Sequence, residues 1–389
     1  MDEEKTLFEI HMEDTWETLA KLTGLSNPLF DHTLFLMGYE FTSNSYLLQG
    51  DYHSIIDPGN DYSAFMQLLE LGITPPTIKK VALTHGHHDH AMGVLELFRG
   101  YGGYDKKDLE IIMHEAGPEE FKRMVRELGC RISEVKGGEI INLSGFDLEV
   151  IHTPGHTIDG LCFYHPPSRT VFTGDTVLPL AMADVDQKAG GRLDHYFYAL
   201  RTLLRREVDH VLPGHGGMAI NLGRRVMEET YDALIKKEVG IETPLMDGAA
   251  QLAQQGLLEE ALFYVNKELD KDADSLRAME FKAFLLNDLG RVEEALAWFD
   301  RLLAQNSGHF PALMGKGAAL LGLGRYEESL PYFDDVLKAQ PQSKEAQVSK
   351  GMALYLAGRP EEALDIEAFR TEFTRRMKDE MERLAQQKT

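Results

Sequence analysis

The sequence predicts two domains of different class: a mixed α/β domain with sheets packed under helices, then an all-α array of helical repeats. Three observations carry this. Over residues 30–235, short apolar runs end repeatedly in polar or Gly-rich loops, with helical patterns between some of them. From Gly256 onward the chain repeats itself every 34 residues. Between the two, "VGIETPLMDG" at 239–248 puts Gly and Pro where helices should break. The joint is therefore expected there, giving domains over 1–240 and 241–389, with 1–29 as an N-terminal extension.

Within the first domain, "NSYLLQGDYHSIIDPG" is two apolar runs around a polar turn, a hairpin pattern. "IKKVALTH", "LEIIMH", "FDLEVIHTPGH", "GLCFYHP", "TVFTGD" and "HVLPGHG" are further short strands by pattern. Helical spacing occurs at 61–71, 118–128 and 194–206. Such a mixture places functional residues on the loops at strand ends.

In the second domain "GLLEEAL" from Gly256, "GRVEEAL" from Gly290, "GRYEESL" from Gly324 and "GRPEEAL" from Gly358 fall in phase. A Gly turn between two amphipathic helices at this period resembles the tetratricopeptide family. Ala295 with Phe299, Ser329 with Phe333, Gly317, Gly351 and Pro341 fit the same pattern. The family's Trp and Tyr positions are mostly Leu or Met here, and Ser307 stands where Pro is usual. The highly charged stretch after the fourth turn reads as a capping helix. The resemblance implies a protein partner or self-association.

Composition narrows the function. Lys and Arg number 40 against 63 Asp and Glu, a net charge of -23, and the first twenty residues alone carry -6. A field of that sign repels polyanions, so nucleic acid and anionic membranes are not expected partners. No run approaches the ~20 apolar residues of a membrane span, and the N-terminus has no basic-then-apolar signal pattern, so the expected location is the cytoplasm. The two cysteines, Cys130 and Cys162, lack CxxC spacing and read as buried core thiols.

The chemistry concentrates in "THGHHDHAMG", with four histidines and an aspartate in six positions. Zinc and its neighbours take imidazole nitrogen and carboxylate oxygen from loops held by a rigid scaffold. This loop offers His85, His87, Asp89 and His90; "TPGHT" offers His156, "FTGDT" Asp175 and "LPGHG" His215. Each follows a short apolar run. In this order, together with "IIDPG" at 55–59, the five motifs of residues 30–235 resemble the metallo-β-lactamase fold superfamily. The resemblance implies a four-layer αββα sandwich. It implies that His85, His87 and His156 hold one metal, that Asp89, His90 and His215 hold a second, and that Asp175 bridges them. Two divalent ions are then expected, Zn first, with Fe or Mn as alternatives. A bridging hydroxide would be the nucleophile, with Asp89 orienting it or accepting its proton. His88 fills a variable slot, while His114 and His152 lie outside the motif positions and are expected to support or simply pack.

Within the superfamily, β-lactamases generally lack an aspartate like Asp175, and flavodiiron proteins carry Glu at the position of His87. The nuclease branches add nucleic-acid-binding elements, which the charge opposes. What the resemblance leaves is a glyoxalase II-like hydrolase of small thioesters, lactones or esters. Two alternatives stand beside it: a persulfide dioxygenase-like enzyme with a single iron, and a binding scaffold with an inactive hydrolase domain. Pocket specificity is expected from loop 178–198, where Arg192, His195, Tyr196 and Tyr198 are candidates with a structural role as the first expectation for each, and from Tyr39 and Phe41.

Overall fold

The structure is a computed structural model, and it describes residues 15–39, 41–99 and 108–386. The first fourteen residues of the N-terminal extension lie outside them. The chain forms two compact units, Met1–Ile235 and Lys236–Thr389.

In the first unit, seven strands lie side by side in chain order. They are β1 (Glu17–Thr18), β2 (Thr33–Leu36), β3 (Ser45–Gln49), β4 (His53–Ile56), β5 (Ile78–Ala82), β6 (Glu110–His114) and β7 (Arg131–Val135). Strands β1 to β4 pair antiparallel, β3 and β4 forming the expected hairpin, whereas β4 to β7 pair parallel. Two short helices, α1 (Leu19–Thr23) and α2 (Pro28–Asp31), join β1 to β2. Parallel pairing needs crossovers. These carry α3 (Tyr62–Glu70), then the turn α4 (His88–Ala91) with α5 (Gly93–Arg99), then α6 (Glu119–Glu127).

A second sheet, in the order β12-β11-β10-β9-β8, holds β8 (Ile140–Leu143), β9 (Phe146–His152), β10 (Leu161–His165), β11 (Thr170–Gly174) and β12 (His210–Pro213). Only β11 and β12 are parallel, joined across α7 (Leu193–Leu204); α8 (Gly223–Val239) follows.

The period-2 alternation of side chains along a strand explains the layers. Leu47, Ile55, Val81 and Ile111 face outward and pack with Phe65 and Leu68 of α3, Val94 and Leu97 of α5, and Phe121 and Val125 of α6. Their neighbours Tyr46, Ile56, Ala82 and Ile112 face inward and meet Leu148, Val150, Phe163, Phe172 and Leu212 of the second sheet. On that sheet's outer face, the Tyr164 hydroxyl donates to the Glu207 carbonyl, and Arg206 pairs with Glu149. Both partners lie just beyond α7. Phe197 of α7 then meets Tyr231 of α8 edge to face at 5.8 Å. Helices, sheet, sheet, helices is the expected four-layer order. Residues 15–36 are built into it: the Trp16 indole donates to the Ala64 carbonyl at 2.9 Å, and Leu19, Leu29 and Phe30 are fully buried.

Both cysteines are free and buried. Burial pushes the Cys162 thiol up to about 11. Among the described residues, no helix is long and apolar enough to cross a membrane.

The second unit pairs α9 (Leu245–Gln254) with α10 (Leu258–Lys271), α11 (Leu276–Asp288) with α12 (Val292–Gln305), α13 (Phe310–Gly322) with α14 (Tyr326–Ala339), and α15 (Lys344–Leu356) with α16 (Pro360–Asp365). The last helix, α17 (Glu367–Gln386), covers the fourth pair. The four turn glycines, Gly256, Gly290, Gly324 and Gly358, have φ of 80°, 75°, 77° and 82°. A left-handed backbone is what glycine tolerates without penalty, hence the 34-residue spacing of glycine rather than of any small residue. Arg291, Arg325 and Arg359 each follow a turn glycine and make two bonds to Glu294, Glu328 and Glu362 of their own helices. They also reach back to Glu259, Glu293 and Glu327 of the preceding pair at 3.9, 3.9 and 3.2 Å. Exposed pairs of this kind add little stability individually.

Two outcomes follow from this packing. A Cβ added at Gly351 would lie 2.3 Å from Cγ of the buried Phe369. Gly351→Ala should therefore destabilise the last repeat by about 1–3 kcal/mol, seen as an earlier loss of helical circular dichroism on heating. Cys162 should resist thiol reagents in the native protein at pH 7 and react only in denaturant, which peptide mass mapping checks.

Candidate metal centre

The loops after β5, β9, β11 and β12 converge at one edge of the sandwich. Their anchor is Asp57, just after β4, buried and held at φ 49°. Its Oδ1 accepts from the Thr84 amide at 2.8 Å, and its Oδ2 accepts from the Thr84 hydroxyl at 2.6 Å and from His90 Nδ1 at 2.8 Å. Because Thr84 gives its proton to Asp57, its oxygen is left to accept from His85 Nδ1, 3.2 Å away. One carboxylate thus orients two histidines. From the second sheet's side, His87 Nε2 donates to Asp186 Oδ2 at 3.1 Å and His156 Nδ1 to the Asp184 carbonyl at 2.5 Å.

With the outward nitrogens engaged, the inward ones face each other. His85 Nε2 and His156 Nε2 lie 3.0 and 3.1 Å from His87 Nδ1. Beside them Asp89 Oδ2 is 3.0 Å from His215 Nε2 and 3.6 Å from His90 Nε2, and those two Nε2 atoms are 3.2 Å apart. Asp175 stands between the groups. Its Oδ1 is 3.4 Å from His90 Nε2 and 3.7 Å from His215 Nε2, while its Oδ2 is 3.6 Å from His156 Nε2. All seven sequence-predicted residues therefore meet. Two clusters, His85 with His87 and His156 and Asp89 with His90 and His215, have the spacing to hold a metal ion, and so has a third grouping of His85, His90 and Asp175 that overlaps them.

The chemistry of this donor set fits cations. A neutral imidazole that donates from one nitrogen carries a lone pair on the other, so His85, His87 and His156 aim three lone pairs at one point. Asp175 Oδ1 is buried and, among the described residues, has no hydrogen-bond partner. Burial, with His90 beside it, pushes His85 well below the usual histidine range. Burial opposes charge on His90 as well, but Asp175 and Asp57 outweigh it and hold the ring well above that range. The carboxyl of Asp175 is held far below its usual range, because His90, His85 and His215 overcome its burial. Asp89 is likewise held low: burial opposes its charge, but the His215 hydrogen bond and the charges of His90 and His215 together overcome it.

Other residues separate cleanly. His88 is exposed and points into neither cluster. His114 and His152 stack on each other at 4.1 Å; His114 Nδ1 accepts from the Ala116 amide, and His152 Nε2 donates to the Ile158 carbonyl. Tyr196 is buried and donates to the Asp175 and Thr176 carbonyls, so it props the Asp175 loop. Arg192 pairs with Asp194, and His195 Nδ1 is buried with no hydrogen-bond partner among the described residues. Tyr39, Phe41 and Tyr198 are exposed by 51, 81 and 52%. Sequence reasoning gave no role to Asp57, Thr84 and Asp186. For Asp57 the signal was its place in "IIDPG"; for Asp186 it was only its presence in loop 178–198.

Close approach at Gly214 completes the site. An added Cβ would lie 2.6 Å from Asp175 Oδ1 and 2.7 Å from His90 Cε1. Gly214→Ala should displace both side chains, lower stability by about 1–3 kcal/mol and reduce the metal bound per chain. Elemental analysis and thermal unfolding check this, and unchanged metal content would count against the geometry.

Comparison with known proteins agrees with this architecture. The Metallo-beta-lactamase superfamily model matches residues 38–215, and a Tetratricopeptide repeat model matches 248–309 and 314–370. An atrochrysone carboxyl ACP thioesterase of Paecilomyces divaricatus is 29% identical over 190 residues, 48% of this chain and 54% of that protein. The hydroxyacylglutathione hydrolase GloC of Haemophilus influenzae is 29% identical over 174 residues, 42% of this chain and 79% of that protein. The chain thus spans about half the length of the fungal thioesterase it matches. Among solved structures, a metallo-beta-lactamase family protein from Thermus thermophilus aligns with a TM-score of 0.42 and 21% identity, over 62% of this chain and 93% of that one. Residues 38–215 are a metallo-beta-lactamase superfamily domain, and the chain that carries it continues into tetratricopeptide repeats.

Proposed function

We propose that this chain is a dinuclear metal-dependent hydrolase acting on a small thioester, lactone or ester. In this reading His85, His87 and His156 hold one divalent cation and Asp89, His90 and His215 a second, with Asp175 shared. Zn is the first choice for this nitrogen-rich set, and Fe or Mn also suits it. The observation that carries the reading is Asp175, whose Oδ1 faces one cluster and whose Oδ2 faces the other. A carboxylate so placed screens two like charges from each other. Two complete clusters favour this over a single-iron dioxygenase.

When bound, such a cation pair makes water acidic enough to serve as nucleophile near pH 7 and neutralises charge on a reacting oxygen. The chain's residues do the rest. Asp89, kept ionised by His215 and about one-third exposed, is placed to orient the attacking water and take its proton. Asp57 and the Asp184–Asp186 segment hold the rings so that no reorganisation is needed at the moment of reaction.

The carbonyl substrate class is favoured by charge and by kinship. A net charge of -23 slows encounter with a polyanion. One relative is named a thioesterase and another a hydrolase of an acylglutathione. The repeats are read as a surface for a protein partner or for a second copy of the chain.

Reconstituted protein should carry close to two transition-metal ions per chain by elemental analysis; none would sink the site. Asp175→Ala should lose most of the thioesterase or esterase turnover, whereas His88→Ala should stay near the parent. Robust RNA or DNA cleavage without ester or thioester turnover would overturn the substrate class but leave the metal reading standing. A chain ending near residue 240, just past α8, should keep its metals, and losing them while folded would make the repeats part of the site.

A further inference from the structure

The segment from Asp184 to Arg192 is tied to the His156 loop by three backbone hydrogen bonds. The Asp186 amide donates to the His156 carbonyl at 2.8 Å, Ile158 to the Ala189 carbonyl at 3.0 Å and Arg192 to the Gly155 carbonyl at 3.0 Å. Asp186 is the hinge of this strap. Its Oδ1 accepts from the Lys188 and Ala189 amides at 2.9 and 3.3 Å, closing the turn, while its Oδ2 takes the outward nitrogen of His87 at 3.1 Å. One carboxylate therefore shapes the strap with one oxygen and aims a member of the first cluster with the other. Two residues earlier, the Asp184 carbonyl aims His156. The same loop carries Leu180, 80% exposed at φ 62°.

We propose that Asp186 is a positioning residue that couples occupancy of the first cluster to the conformation of the strap 184–192, and so to the loop that borders the site. A carboxylate oxygen can only accept, so it fixes the proton on His87 Nε2 and leaves Nδ1 to bind. Without a cation, the three facing lone pairs of His85, His87 and His156 push apart, and the strap moves with the two rings it holds. This inference rests on the metal reading above.

Lys188 and Arg192 are exposed on the strap, so trypsin reports its state, with cleavage at the exposed Arg224 and Arg225 as the internal reference. Wild-type protein loaded with Zn should resist cleavage after Lys188 and Arg192, and chelator-stripped protein should be cut there faster while the reference sites hold constant. Asp186→Asn keeps an oxygen for the turn but turns an NH2 toward His87. It should bind one of two ions about 10–100-fold more weakly, by titration against a competing chelator, with circular dichroism unchanged. Asp186→Ala should be cut at the strap even when loaded. Cleavage indifferent to metal in the wild type, or two ions bound by Asp186→Asn as tightly as by the wild type, overturns the coupling and leaves the metal centre intact. A wild type that binds no metal overturns the reading beneath it.

Discussion

Five side chains that repel one another are held within a few ångströms at the edge of this sandwich. The inward nitrogens of His85, His87 and His156 bring lone pairs to 3.0–3.1 Å, and the carboxylates of Asp89 and Asp175 stand beside them. Burying a carboxylate oxygen with no partner, as at Asp175, costs several kcal/mol in a protein interior. His90 offsets part of this cost at Asp175, and cations at the two clusters would turn the remaining repulsion into attraction. The surrounding hydrogen bonds to Asp57, Asp184 and Asp186 set the direction in which His90, His156 and His87 face.

Both sheets contribute to both clusters. His85, His87, Asp89 and His90 follow β5 of the first sheet, while His156, Asp175 and His215 follow strands of the second. Bound cations would therefore tie the two sheets together at one edge. Each sheet also brings its own support: Asp57 orients His90 and, through Thr84, His85, whereas the strap at 184–186 orients His87 and His156. Asn44 carries the support across, its amide donating to the Gly214 carbonyl at 2.7 Å and its side chain to the Pro213 and Gly216 carbonyls at 2.9 Å each. Tyr46 donates to the same Pro213 carbonyl. The His215 loop is thus fastened to the first sheet.

What was legible in the sequence follows physical lines. The seven converging residues were readable because they sit in loops that follow apolar runs, where strand and loop chemistry change abruptly. The turn glycines were readable because a left-handed φ recurs every 34 residues and leaves glycine as its mark. Strands β1, β2, β7 and β8 were not, being short or half exposed, with weak alternation. Asp57, Thr84 and Asp186 escaped for another reason: their effect depends on which ring nitrogen they face, and that is fixed only when loops 27 and 99 residues apart meet. Tyr196, a pocket candidate in loop 178–198 whose first expectation was a structural role, has that role: it is buried and its hydroxyl donates to the Asp175 carbonyl.

Anomalous X-ray diffraction at the metal absorption edge, from crystals of reconstituted protein, tests the account most directly. It predicts two peaks, one among His85, His87 and His156 and the other among Asp89, His90 and His215, with the Asp175 carboxylate between them. A single peak would leave Asp175 with only one cation to face, and no peak at either cluster would contradict the account outright.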